Sequence, residues 1–211
     1  MKNNELSALS NAGNILYDMT LEELWALFPI IIVPYNPEWT AWYEEERNNL
    51  LTLLEKETVR ISHIGSTAVK GLAAKPTVDI LLEITDIADI TEITNKLISE
   101  DWLIMSQSEE PKLKFSFNKG YTPNGFADKV YHLHVTRKND PDELYFRDYL
   151  IARQDVAKEY EKLKYGLKEK FKHNRDGYTE AKTEFISKQT KAAKQESKKD
   201  AKRNDQERKR I

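Results

Sequence analysis

The residues with the greatest capacity for chemistry lie in one run, His63-Ile64-Gly65-Ser66-Thr67-Ala68-Val69-Lys70-Gly71-Leu72-Ala73-Ala74-Lys75-Pro76-Thr77-Val78-Asp79-Ile80. Val59, Ile61 and His63 alternate with Arg60 and Ser62, so a strand is expected to end at Ile64. Gly65 then permits a tight turn, and Ser66 and Thr67 can cap the short helix that follows. The free N–H groups of such a turn suit phosphate oxygens, and Lys75 can add a positive charge. Asp79 falls inside the next expected strand, Thr77 to Ile84, where a carboxylate needs a metal ion or a basic partner.

Strand alternation gathers further candidates. Val78, Ile80, Leu82 and Ile84 form an apolar face, opposite Thr77, Asp79, Leu81 and Glu83. Leu113, Phe115 and Phe117 oppose Lys112, Lys114, Ser116 and Asn118, and Tyr131, Leu133 and Val135 oppose His132 and His134. If these strands share one sheet, its second face collects two acids, two lysines and two histidines, either as a ligand site or as a solvated surface. Imidazoles two residues apart on a strand point the same way, and each can take a proton near neutral pH or bind a metal. His63 is in phase with Val59 and Ile61 and reads as a hydrogen-bonded structural residue; His173, among Lys172, Asn174 and Arg175, reads as surface. Arg147, beside Asp148 on an expected helix, either reaches over the polar face to bind phosphate or pairs with Asp79 or Glu83.

The central run, with Pro34-Tyr35-Asn36-Pro37-Glu38-Trp39 before it, resembles the GrpB family. So do His132-Leu133-His134-Val135, Phe146-Arg147-Asp148-Tyr149-Leu150 and Tyr178-Thr179-Glu180-Ala181-Lys182, and the resemblance extends over about residues 30–190. That family is similar in fold to the DNA polymerase β-like nucleotidyltransferases. The resemblance implies an α+β protein with a minimal, mixed or antiparallel sheet flanked by helices and followed by C-terminal helices. In active members of the larger group a Gly-Ser turn precedes a strand bearing two acids one residue apart. Those acids hold Mg²⁺ against a nucleoside triphosphate, and a third acid lies on a neighbouring strand. Gly65-Ser66 matches the turn, and twelve residues separate Ser66 from Asp79. The second acid position holds Leu81; Glu83 is the next acid on that face, roughly 7 Å further along the strand. His134 is expected in place of the third acid. The residue pattern and the resemblance together give an expected catalytic and metal-binding set of Asp79, Glu83 and His134. The expected phosphate-binding set is Gly65, Ser66, Thr67, Lys75, Lys114, His132 and Arg147.

The elements that must position these residues follow from patterning. Thr20 and Glu23 form a capping box before Leu24, Trp25 and Leu27, after a loose stretch over residues 1–20. Ile30 to Val33 reads as a short strand, ended by Pro34 and Pro37, and Glu38 to Glu55 as a long helix. A helix is expected over Ala88–Glu100, and strands over Lys112–Asn118 and Val130–Thr136 with a loop holding Gly120, Pro123 and Gly125. Helices follow over Asp142–Gln154, Val156–Lys172 and Thr179–Gln189, with Gly177 breaking the last two. The layout is an N-terminal extension (1–29) with a short helix, a domain over 30–190, and a basic tail over 191–211.

The 211 residues include no cysteine, which excludes disulfides and thiolate metal sites. No Gly-x-Ser-x-Gly elbow, Gly-Lys-Ser phosphate loop or His-Glu-x-x-His zinc helix occurs. The start lacks a signal-peptide pattern and the apolar run Phe28–Val33 is too short to span a bilayer, so a cytoplasmic location and no membrane partner are expected. From Lys188 onward ten Lys or Arg face four Asp or Glu; with a net charge of −2 overall, the remainder carries −8. An acidic body makes nucleic acid an unexpected partner except through the basic tail. Two functions remain open: Mg²⁺-dependent transfer of a nucleotidyl group from an NTP to an unknown acceptor, or a non-catalytic module binding a nucleotide or phosphorylated small molecule.

Overall fold

The computed structural model describes residues 11–208 of the chain. A single five-stranded mixed sheet is flanked by helices, in the α+β arrangement expected. The strands are β1 (Thr58–Ile64), β2 (Val78–Ile84), β3 (Leu103–Ser108), β4 (Lys114–Thr122) and β5 (Gly125–Arg137), in the order β1-β2-β5-β4-β3. Only the central β2–β5 pair is parallel. The helices are α1 (Asn11–Asp18), α2 (Leu21–Leu27), α3 (Glu38–Leu53), α4 (Ile90–Ser99), α5 (Asp142–Ala152), α6 (Gln154–Lys170) and α7 (Arg175–Arg208). Among the described residues no helix is long and apolar enough to cross a membrane.

One sheet face is covered by α3 and α4. On α3, Trp39, Tyr43, Glu46 and Leu50 are buried at helical spacing. Trp39, Tyr43 and Leu50 meet Ile80, Leu82, Phe117, Leu133 and Val135 from the strands and Ile93 and Leu97 from α4. The apolar half of the alternation thus forms the main core and leaves Asp79, His132 and His134 on the opposite face. That second face is roofed by the C-terminal helices. Phe146, Leu150, Val156, Ala157 and Tyr160 pack on Val69 and Leu72, which follow the Ser66 turn.

Four expectations change. Part of the stretch expected to be loose is α1, whose Leu16 packs with Phe28 and Leu103; residues 1–10 lie outside the described residues. Ile30–Val33 is not a strand, because only Val33 bridges another segment, at Ala74, while the Ile30 N–H goes to the Lys172 carbonyl. The edge strand β3 was not expected: five of its six residues lie at least partly exposed, so no apolar alternation marks it. Gly177 does not break the last helix. The break falls at 171–174, and α7 runs on through the expected tail as far as Arg208, with Ala193 buried and Lys194 paired to Asp142.

Candidate functional site

At the end of β1 the chain turns through Gly65, with φ of 68°, into a single 3-10 turn, Ser66–Ala68. A side chain at position 65 is excluded for two reasons. The positive φ disfavours it, and its Cβ would lie 2.3 Å from Asp79 Oδ2. The Asp79 carboxylate therefore rests directly on the turn's backbone. Registry fixes this approach: Ile64 is opposite Asp79 in the β1–β2 pair, and Asp79 is opposite His132 in the β2–β5 pair.

His132 Nδ1 lies 3.1 Å from Asp79 Oδ1, and its Nε2 lies 2.8 Å from the Tyr121 hydroxyl. Arg175, at the start of α7, donates to that same hydroxyl at 2.7 Å. A guanidinium only donates, so the Tyr121 oxygen accepts from Arg175 and its own proton goes to Nε2. The tautomer of His132 is thereby set, with Nδ1–H left for Asp79. Burial alone would raise the Asp79 carboxyl; the His132 hydrogen bond and the charges of His132, His134 and Lys75 outweigh it and hold the group at about 2. Burial pushes His132 down to about 4 against the pull of Asp79. At neutral pH the pair is an ionised carboxylate accepting from a neutral imidazole.

Beside this pair opens a cavity of about 420 Å³. The turn (Gly65, Ser66, Thr67), Lys75, Asp79, His132 and His134 form its floor, and α6 and α7 contribute Lys164, Arg175, Tyr178 and Lys182. Lys164 is 2% exposed and donates to Ser66 Oγ at 3.1 Å and to the Ala73 carbonyl. The Lys75 and Lys182 ammonium groups stand 6.0 and 4.3 Å from the Tyr178 ring centroid. Among the described residues no carboxylate lies within 4.0 Å of any of these four cations. Burial is the main force lowering all three lysines, Lys75 and Lys164 to about 7 and Lys182 to about 8. A cluster of three desolvated lysines and an arginine that outnumbers the nearby carboxylates favours an anion.

The structure brings together seven of the residues expected at the site: Gly65, Ser66, Thr67, Lys75, Asp79, His132 and His134. Three others lie elsewhere. Glu83 is 1% exposed at the far end of β2, where Arg60 on β1 pairs with its carboxylate and the Asn139 N–H donates to it at 3.3 Å. Lys114 is exposed at that same end of the sheet, in register with Thr136, which also pairs with Glu83. Arg147 donates to the His63 carbonyl at 2.9 Å and pairs with Asp148, so it pairs with neither Asp79 nor Glu83 and does not line the cavity. His63 itself stacks on Tyr43 and lies 3.0 Å from Thr67 Oγ1, bracing the turn from below. Lys164, Arg175 and Tyr121 carried no signal in the sequence. Tyr178 and Lys182 did, since both stand in a run that resembles GrpB.

The donor set expected for Mg²⁺ does not fit the ion. Magnesium wants hard oxygen ligands in near-octahedral geometry at 2.0–2.1 Å. Glu83 is committed to Arg60, and Asp79 faces His132 with its Oδ1 while its Oδ2 packs against Gly65. Among the described residues no group of three or more His, Asp or Glu side chains is arranged to hold a metal.

A mixed sheet carrying a Gly-Ser turn against a strand aspartate, roofed by helices that add lysines, is the architecture that comparison with known proteins places. Residues 29–192 match the family described as GrpB protein. The chain belongs to the GrpB family. It is 31% identical over 160 residues to the glutamate-rich protein GrpB of Alkalihalophilus pseudofirmus, covering 74% of this chain and 91% of that one. It is 28% identical over 158 residues to the UPF0157 protein YqkA of Bacillus subtilis, covering 74% of this chain but only 44% of that protein. In three dimensions the conserved protein GrpB from Enterococcus faecalis overlays on 79% of this chain and 99% of its own, with a TM-score of 0.69 and 27% identity. Cid1 in complex with its short product ApU overlays on 70% of this chain and 42% of its own at a TM-score of 0.40 and 15% identity, too loosely to carry function.

Proposed function

We propose that the cavity binds the phosphate groups of a nucleotide or another phosphorylated small molecule. The observation that carries this reading is that Lys75, Lys164, Lys182 and Arg175 line one cavity with the Ser66 turn, none of them within 4.0 Å of a carboxylate among the described residues. Ser66 and the turn backbone offer hydrogen bonds to phosphate oxygens, the lysines offer charge, and the volume of about 420 Å³ suits a small ligand. Calorimetric titration with ATP, GTP, CTP and UTP tests it against the matching nucleosides. Triphosphates are expected to bind and nucleosides to bind at least tenfold more weakly. Equal binding of both, or none of either, overturns it.

A second reading is nucleotidyl transfer to an acceptor, and one observation favours it: Asp79 is held ionised on the cavity floor, where it could orient an acceptor hydroxyl. Release of pyrophosphate from an NTP, lost in Asp79→Asn, would support it. Tight NTP binding with no pyrophosphate released leaves the binding module alone.

A further inference from the structure

If the cavity takes phosphate groups, its remaining question is the form in which they enter, since cellular polyphosphates travel largely as magnesium complexes. The side chains that could share a metal with the ligand are already engaged. Asp79 Oδ1 faces His132 Nδ1 at 3.1 Å, and Oδ2 is pressed on Gly65. The second nitrogen of His132 meets Tyr121, and Asp142, at the rim, is paired with Lys194. His134 and the exposed Glu143 remain, one neutral donor and one rim carboxylate. Against them stand four cations lining the cavity, with Asp79 on the floor and Glu161, which accepts from the Ala73 N–H, as the nearby carboxylates. A divalent cation brought into that field meets repulsion, and it arrives on a ligand that has lost two of its negative charges.

We infer that this cavity selects metal-free polyphosphate, with Lys75, Lys164, Lys182 and Arg175 supplying the counter-charge that Mg²⁺ supplies in other sites. The inference rests on the phosphate-binding reading above and narrows its ligand to a di- or triphosphate chain stripped of metal. Magnesium is then a competitor for the ligand and not a cofactor. The desolvation of the three lysines agrees: a metal-free chain restores their full charge better than a half-neutralised one.

The test is calorimetric titration of the full chain with inorganic tripolyphosphate, which has no base to prefer, and with ATP. Each is titrated once in EDTA and once in excess MgCl₂ at constant ionic strength. The metal-free forms are expected to bind roughly tenfold or more tightly than the magnesium complexes. Lys182→Gln is expected to weaken the metal-free form by a larger factor than the magnesium form, with circular dichroism confirming that the variant is folded. Equal affinity in the two media, or tighter binding with Mg²⁺, overturns the inference and leaves the phosphate-binding reading intact. Absence of binding in both media removes that reading and the inference with it.

Discussion

Replacing Asp79 by asparagine should lower stability by about 2 kcal/mol and still leave a folded protein. The carboxyl is held at about 2, below its usual 3.8, and 28% of the side chain is exposed, so solvent screens it only in part. At about 1.36 kcal/mol per pKa unit the ionised group contributes about 2 kcal/mol at neutral pH. A depressed carboxyl gives that contribution in full above its unfolded pKa and loses it as pH falls through the folded one. The difference between wild type and Asp79→Asn should therefore be greatest at pH 7 and roughly halved at pH 3. Asparagine keeps an oxygen for the His132 Nδ1–H, so the register of β2 and β5 should survive. Urea denaturation at the two pH values measures the effect. Coincident midpoints at pH 7, or a gap that widens in acid, would refute the network of opposing charges around Asp79. The same variant should bind metal-free tripolyphosphate more tightly, because a negative charge has left the cavity; a metal ligand at Asp79 would give the reverse.

Gly65→Ala places a Cβ 2.3 Å from Asp79 Oδ2 in a backbone of φ 68° and ψ −168° that is essentially reserved for glycine, so it should lower stability by about 1–3 kcal/mol from the backbone cost alone and abolish tripolyphosphate binding, as read by denaturation and calorimetry. Arg60→Ala takes the ion-pair partner from the carboxylate of Glu83, 1% exposed, and should lower stability in urea denaturation by about 1–3 kcal/mol with phosphate affinity unchanged. Lost affinity in a folded Arg60→Ala protein would place Glu83 in the site after all. Burial holds His63 and His132 to about 4, so their imidazole resonances in a pH-titrated NMR series should stay in the neutral form at pH 5. The sign follows: the unfolded chain takes up these protons first, and stability falls as pH drops from about 6.5 toward 4.

The turn and its aspartate were legible because their determinants are local. A strand, a glycine, two capping hydroxyls and the alternation of Val78 to Ile84 suffice to place Gly65, Ser66 and Asp79 on one side of a sheet. Alternation also assigned Glu83 to the correct face but could not say which end of the strand holds the cavity. That is decided by Arg60 on the edge strand, whose partner is fixed only by the β1–β2 register. Strand β3 escaped because an edge strand lying over solvent needs no apolar period. Lys164 on α6 and Arg175 on α7 escaped for a different reason: a basic residue on a charged helix reads as solvated, and only tertiary packing brings Lys164 to Ser66 across 98 positions.

That tertiary origin bears on what the cavity can be. Two parts of it come from separate physics. The floor is set by backbone pairing and keeps Asp79 and His132 in contact whatever lies above. The roof is set by helix packing, with Tyr160 buried against Phe146 and stacked on Phe185, and Tyr178 buried against Ile30 and Ile32. Arg175 links the two, since it donates both to Tyr121 above the floor and to the Phe28 carbonyl, which precedes Ile30 in the segment that packs on Tyr178. On the proposed reading, a ligand that engages Lys75 and Lys182 also bears on Tyr178, whose helix α7 carries Arg175 to Tyr121 and His132. On that same reading, phosphate binding and the protonation of the Asp79–His132 pair are coupled, and each further carboxylate on the cavity floor would weaken binding.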